Sequence, residues 1–574
     1  MAREVLAREG GVNLTTIICE IAEYLEAISS DEPHRRMNTN NIWFSQQRLE
    51  AWEHSLALDK AIVPTELTSF LKEIHDESTR TIADLCDKFK LEKNTKRTET
   101  GESVNAHYAF ENEIDQLIES LWDRPPTSLQ RHATDYWHQA ILCTTDTGDL
   151  TQVKHTLRLR YGVHSVHAMA VMRKMRLDML RPDSLQGVGE ACRVSLSEIQ
   201  LYPKEGSHTL GQYHGNLILV EWMRYPPTRV NINLDQRELV ISLKARCLSH
   251  VSKPSGLRTL DCIGFIEQDD SSKGYGLVYQ FPDEQEPTPS TLLRLLEEQS
   301  TKPGEQPALG NKFKLAFALA DFLKEFHTIG WLHENFNPHN VIFLSHPDES
   351  GTSNIQMPFI VGLQKSRPDG SFWEAEGPDL DAHLQDYQHP DCVCHGQRYR
   401  PAFDYYSLGI VLLEIGLWRP LKSWQSKFGD FSMAEVRSEP IRICKARLGV
   451  RMGVVYRDAV LRCMDGSLED RVGGMGFIGK GSLVSGDEAI KLGCFTEMVV
   501  KLLEKLAAAP IWTSVNIWLE HCGRRARSSV LSWLYYWHWH WHPWLAFVIT
   551  SVERYARGLT ESRPRNKFSA GCHR

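Results

Sequence analysis

Between about 185 and 507 a few short strand-like runs give way to a helical remainder, and that order restricts the fold more than any other feature of the 574-residue chain. LILVEW (217–222) and GLVYQF (276–281), the second closed by Pro282, are strands by their β-branched and aromatic content. Residues 313–326 carry a helical period, and DYYSLGIVLLEIGLW (404–418) is a long, mostly apolar helix. Strands first and helices after predict an α+β domain of two lobes, a small one at about 185–282 and a large one at about 283–507.

The region before it, 1–184, reads as helices only. Val12, Ile17, Ile18, Ile21, Tyr24, Leu25 and Ile28 recur at three- and four-residue steps, and similar stripes follow through Trp52, Phe70, Ile114 and 169–180. Helices of this length cannot bury such stripes alone, so an antiparallel all-α bundle is expected. The last region, 508–574, differs again: LSWLYYWHWHWHPWLAFVI (531–549) has no formal charge, but three His and a Pro that would kink a helix. An aromatic-rich tail is the expectation there.

A hydrophobic fraction of 42% with 24% charged residues is the balance of a folded protein. The net charge of −8, without a dominant basic block, argues against nucleic acid as a partner. The first thirty residues hold five glutamates and no apolar run, so a cytoplasmic location is expected. The thirteen cysteines are scattered, several in apolar surroundings (Cys19, Cys262, Cys444), as suits buried thiols. Cys392, Cys394 and His395 lack a second Cys/His pair at matching distance, and His538, His540 and His542 alternate, so no metal site is expected.

The central region resembles a protein kinase domain through four motifs in order. WLHENFNPHNVIF (331–343) lines up with the catalytic loop H-R-D-L-x-x-x-N and keeps His333 and Asn340. FIVGLQ (359–364) falls where a strand delivers D-F-G, YQHPD (387–391) falls at A-P-E, and DYYSLG (404–409) resembles the start of the central large-lobe helix. In the small lobe Met223 stands where the strand lysine would be, a helix over 237–248 would follow with Glu238 as its carboxylate, and Gln280 and Phe281 would form the hinge. No G-x-G-x-x-G precedes Val220.

This resemblance implies a domain that has lost its chemistry. Phosphoryl transfer depends on positioning and on neutralising charge. The position of the catalytic-loop aspartate is Asn335, whose amide is no base at neutral pH. The metal-binding aspartate is replaced by Gly362 and the strand lysine by Met223. Adenine could still pair with the backbone near Gln280 and Phe281, and Asn340 could touch a metal, so ATP would bind weakly if at all. The chain is expected to be a pseudokinase, with an active kinase of unconventional residue set as the alternative.

Details narrow the resemblance. The V-E-W strand, the L-H-x-N-x-x-x-H-N loop, the I-V-G-L element before Ser366, Arg367 and Pro368, and the helix at 404–418 look like a family of fungal kinase-like domains. In that family the domain often follows a HeLo-type bundle associated with prion inhibition and propagation, and RLEAWEHSL (48–56) is similar to the R-L-x-x-W-x-x-x-L helix of HeLo domains. Met223 departs from the family, where lysine is usual. The resemblance implies a signalling switch controlling a helical effector. It also implies a protein partner, with a membrane reached through the bundle or the aromatic tail; a plain interaction scaffold is the other reading.

Overall fold

The computed structural model describes residues 164–179, most of 192–470, 492–509 and scattered positions between 48 and 150. They divide into two units between Lys174 and Met175. In the first, Arg48 and Ala51 are buried helical positions. Arg48 pairs with Glu119 at 2.6 Å and lies over the Trp137 ring, 5.4 Å from its centroid. The helix expected over 169–180 is α1, His164–Met179. The other helical stripes of 1–184, the rest of 48–56, Cys19 and the segment 531–549 lie outside the described residues. Among the described residues no helix is long and apolar enough to cross a membrane.

The second unit has the expected mixed α and β character. Its strands β1 (Ile199–Leu201), β2 (Thr209–Tyr213), β3 (Asn216–Met223), β4 (Asp261–Glu267) and β5 (Tyr275–Gln280) form one antiparallel sheet in the order β1-β2-β3-β5-β4. β2 and β3 are joined by His214 and Gly215, at φ 49° and 85°, the two left-handed positions that a tight hairpin requires. One side of the sheet is filled by Ile199, Ile218, Val220, Ile266 and Val278. The alternate residues of β3, Leu219, Glu221 and Met223, are buried as well, so this strand is covered on both faces. Between β3 and β4 the chain forms α2, Leu234–Leu248, which packs on β4 and β5.

After β5 the chain is mainly helical. α3 (Leu292–Ser300) is followed by α4 (Leu309–Thr328), and further on α5 (Pro390–His395) leads into α6 (Pro401–Leu417). All of α6 from Phe403 to Leu417 is buried, as its apolar composition requires. It packs on α4 and on α7 (Val454–Met464), while α8 (Lys501–Ala508) packs on α4. Short strands punctuate this half: β6 (Thr288–Thr291), β8 (Val341–Ser345) and β9 (Phe359–Ile360) pair antiparallel, as do β7 (Trp331–Leu332) and β10 (Arg367–Pro368). The two small ladders clamp the ends of the loop 333–340 and of the segment 361–366.

The described thiols follow the expectation from their surroundings. Cys247, Cys262, Cys392, Cys444 and Cys463 are buried free thiols, and Cys494 is buried as well. Cys392 packs with Leu332, Tyr399 and Phe403, whereas Cys394 is exposed. Among the described residues no group of three or more His, Cys, Asp or Glu is placed to hold a metal.

Candidate functional site

The loop after β7 is shaped by its own side chains. Asn337 caps the turn Pro338–Asn340 by accepting from the His339 N–H at 3.0 Å, and its amide nitrogen donates to both the backbone and side-chain oxygens of Asn335. Asn340 donates to the Asn335 carbonyl at 2.7 Å, and its Oδ1 lies 3.2 Å from Nε2 of His208, just ahead of β2. Both ends of the Asn340 amide are therefore engaged.

His333 stands in the core among Phe322, Phe326 and Phe336. Its Nδ1 accepts from the Asn335 N–H, which leaves the proton on Nε2 to donate to the Val361 carbonyl at 3.1 Å. Burial pushes this imidazole down to about 4, so it is neutral. Its ring thus ties the loop to the segment that begins at Val361.

Asp404, in the first turn of α6, organises the loop from below. Its carboxylate accepts from the His333 N–H (2.8 Å), the Glu334 N–H (3.0 Å), the Tyr399 hydroxyl (2.8 Å) and His327 Nε2 (2.9 Å). Burial opposes ionisation here, but the hydrogen bond and charge of His327, with His333, outweigh it and hold the carboxyl below its usual range. Glu334, forced to φ 60°, extends to Arg367 on β10 at 2.5 Å, and both side chains are buried. Further along, Tyr387 donates to Glu414 of α6 at 2.8 Å, and Ser407 of α6 donates to the Tyr387 carbonyl at 2.8 Å.

Above the loop, two side chains from the sheet half grip residues 362–364. Glu221 of β3 accepts from the N–H groups of Gly362 and of Leu363, the latter at 2.9 Å, and from the Tyr279 hydroxyl at 3.2 Å. Lys244 of α2 donates to the Gln364 carbonyl at 2.7 Å. Gly362 is at φ 87°, and a Cβ there would lie 2.6 Å from Asn340 Cγ. Gly362→Ala is thus expected to destabilise the protein by about 2–3 kcal/mol, read as a lower urea midpoint with the slope unchanged.

The loop brings together Asn335, Asn340 and Gly362 of the residues singled out from the sequence. Met223 ends β3, buried and opposite Tyr275, and it is Glu221, two positions earlier, whose side chain meets Gly362. Glu238 pairs with Arg193 at 2.6 Å rather than reaching the loop. Gln280 ends β5 half-buried, with Phe281 buried beside it. Glu221, Lys244 and His208 are additions that the sequence reading lacks. A glutamate inside LILVEW is itself a signal, because a carboxylate in a buried strand needs partners. Lys244 is a lysine buried on α2. Nothing local marks His208.

Chemically, the cluster offers amides, a neutral imidazole and carboxylates already saturated by donors. Among the described residues these groups are arranged to fix backbone. No family model matches the chain, and comparison with curated proteins finds no match.

Proposed function

We propose that residues 185–507 form a bilobal protein-kinase-like domain that does not transfer phosphate and acts instead as a regulatory switch for the helical region before it. The carrying observation is the Gly362–Asn340 contact. Where a kinase would hold magnesium between an aspartate and an asparagine, the first position has no side chain and no room for one, and the second has its Oδ1 bonded to His208. The sheet order β1-β2-β3-β5-β4 with a helix between β3 and β4 supports the small lobe of this reading. The grip of Asp404 on the backbone of His333 and Glu334 supports the large one.

The residues present do not fit a magnesium-bound triphosphate. In place of a lysine, the strand turns the buried carboxylate of Glu221 toward residue 362, and a carboxylate repels phosphate. Adenine pairing at Gln280 and Phe281 needs only backbone, so nucleotide binding on this reading is weak and independent of the metal. The test is thermal-shift titration of the full chain with ATP, with and without magnesium, beside an assay of radiolabelled phosphate transfer. The expected result is no magnesium-dependent shift and no transfer. A magnesium-dependent shift with transfer that Asn335→Ala abolishes would overturn the reading.

A further inference from the structure

We propose that Glu221 is a proton-operated latch which, together with Lys244, fastens residues 362–364 to the sheet half of the domain. The segment is held by complementary groups. A carboxylate takes the N–H groups of Gly362 and Leu363, and an ammonium takes the carbonyl of Gln364. One anchor sits on β3 and the other on α2, so the sheet half grips three consecutive residues through two elements.

The carboxylate receives the Gly362 N–H on Oε1 and the Leu363 N–H with the Tyr279 hydroxyl on Oε2, and the Gln364 backbone adds a further bond. The ionised form accepts them all with its charge. A proton on Oε2 can point at a rotated Tyr279 hydroxyl while that oxygen still accepts from Leu363, so what protonation removes is the charge that strengthens the bonds to the Gly362 and Leu363 N–H groups. Protonation therefore weakens the hold on both amides of the segment. Burial raises this carboxyl to about 7, which brings the change into the physiological range.

Tyr279, Cys262 and His333 around it are shifted away from this range. From β5, Tyr279 is held well above its ordinary range, and from β4, burial pushes the Cys262 thiol up to about 12. From the loop side, His333 is neutral down to about 4, and Asn340 carries no charge. From α2, Lys244 faces the same segment and donates to the Gln364 carbonyl. Met223, along the same strand, is apolar. Release of the segment would pass directly into the loop, because Gly362 rests on Asn340 and Val361 is bonded to His333.

The global effect of this carboxyl has the opposite sign, which makes the latch separable. A folded-state value raised above the ordinary 4.5 means a stability contribution that is full below about 4.5 and lost as pH rises through about 7. Acidification from pH 8 to 6 thus favours the fold as a whole through Glu221 while loosening residues 362 and 363.

Hydrogen exchange on the full chain, between pH 6 and 8.5 and corrected for intrinsic amide chemistry, reads both. Peptides spanning 359–368 are expected to lose protection by roughly tenfold on going from pH 8 to 6, while peptides from α6 do not. Glu221→Gln, which never ionises, is expected to show weak protection at both values with a ratio near one. Lys244→Met is expected to lower protection at both values yet keep the wild-type ratio, and it carries the test should Glu221→Gln fail to fold. Equal wild-type protection at pH 6 and 8, or an unchanged ratio in Glu221→Gln, would overturn the latch. No nucleotide enters the measurement, so the outcome is separate from that of the kinase-like reading.

Discussion

Asp404→Ala is expected to cost about 4–6 kcal/mol, more than any other single substitution around the loop 333–340. The carboxylate is fully buried and satisfies two backbone N–H groups, a tyrosine hydroxyl and a histidine. Alanine leaves four donors in the core without this acceptor. A buried donor without a partner costs about 1–3 kcal/mol, and the four losses add incompletely because water or a rotated Tyr399 recovers some of them. Asp404→Asn should fall between the two, since one oxygen remains while the new NH2 faces donors. Denaturation in urea, monitored by tryptophan fluorescence, measures the difference. A loss under about 1 kcal/mol for alanine would mean that the loop 333–340 does not depend on this anchor.

Glu334→Ala is the second large effect, at about 3–5 kcal/mol, because it removes the counter-charge of the Arg367 guanidinium. The pair is buried, with side-chain exposures of 6% and 5%, so solvent cannot stand in for the lost partner. Arg367 also touches the Pro368 and Tyr399 carbonyls, both at 3.5 Å, and neither carbonyl carries the charge that Glu334 supplies. Removing both charges is a different matter. Glu334→Met with Arg367→Met should recover most of the loss, since an apolar pair of similar volume avoids the desolvation that the ion pair suffers. A double-mutant cycle is expected to give a coupling above about 2 kcal/mol; additive single effects would contradict the pairing.

Several elements follow directly from local sequence. LILVEW and GLVYQF fall in β3 and β5, residues 313–326 fall within α4, and 404–418 nearly coincides with α6. The helix at 237–248 is α2, begun three residues earlier. Side-chain branching and helical period act over a few neighbouring residues, so a linear reading captures them. The loop at 333–340 was legible for the same reason: Asn335, Asn337 and Asn340 bond to one another within five residues.

The contacts that define the site were not. Glu221 meets Gly362 across 141 residues of chain, His208 meets Asn340 across 132, and Lys244 meets Gln364 across 120. Met223 and Glu221 point to the same side of one strand, and nothing local says which of them reaches the segment opposite. By itself, the order of residues determined which stretches become strands and helices, and that amides and a glycine occupy the loop and the segment beside it. Only the tertiary structure decided that a buried carboxylate and a buried ammonium would hold that glycine's segment. A charged group leaves water only when distant partners meet it, and those partners are chosen by the packing of the whole domain rather than by its neighbours in the chain.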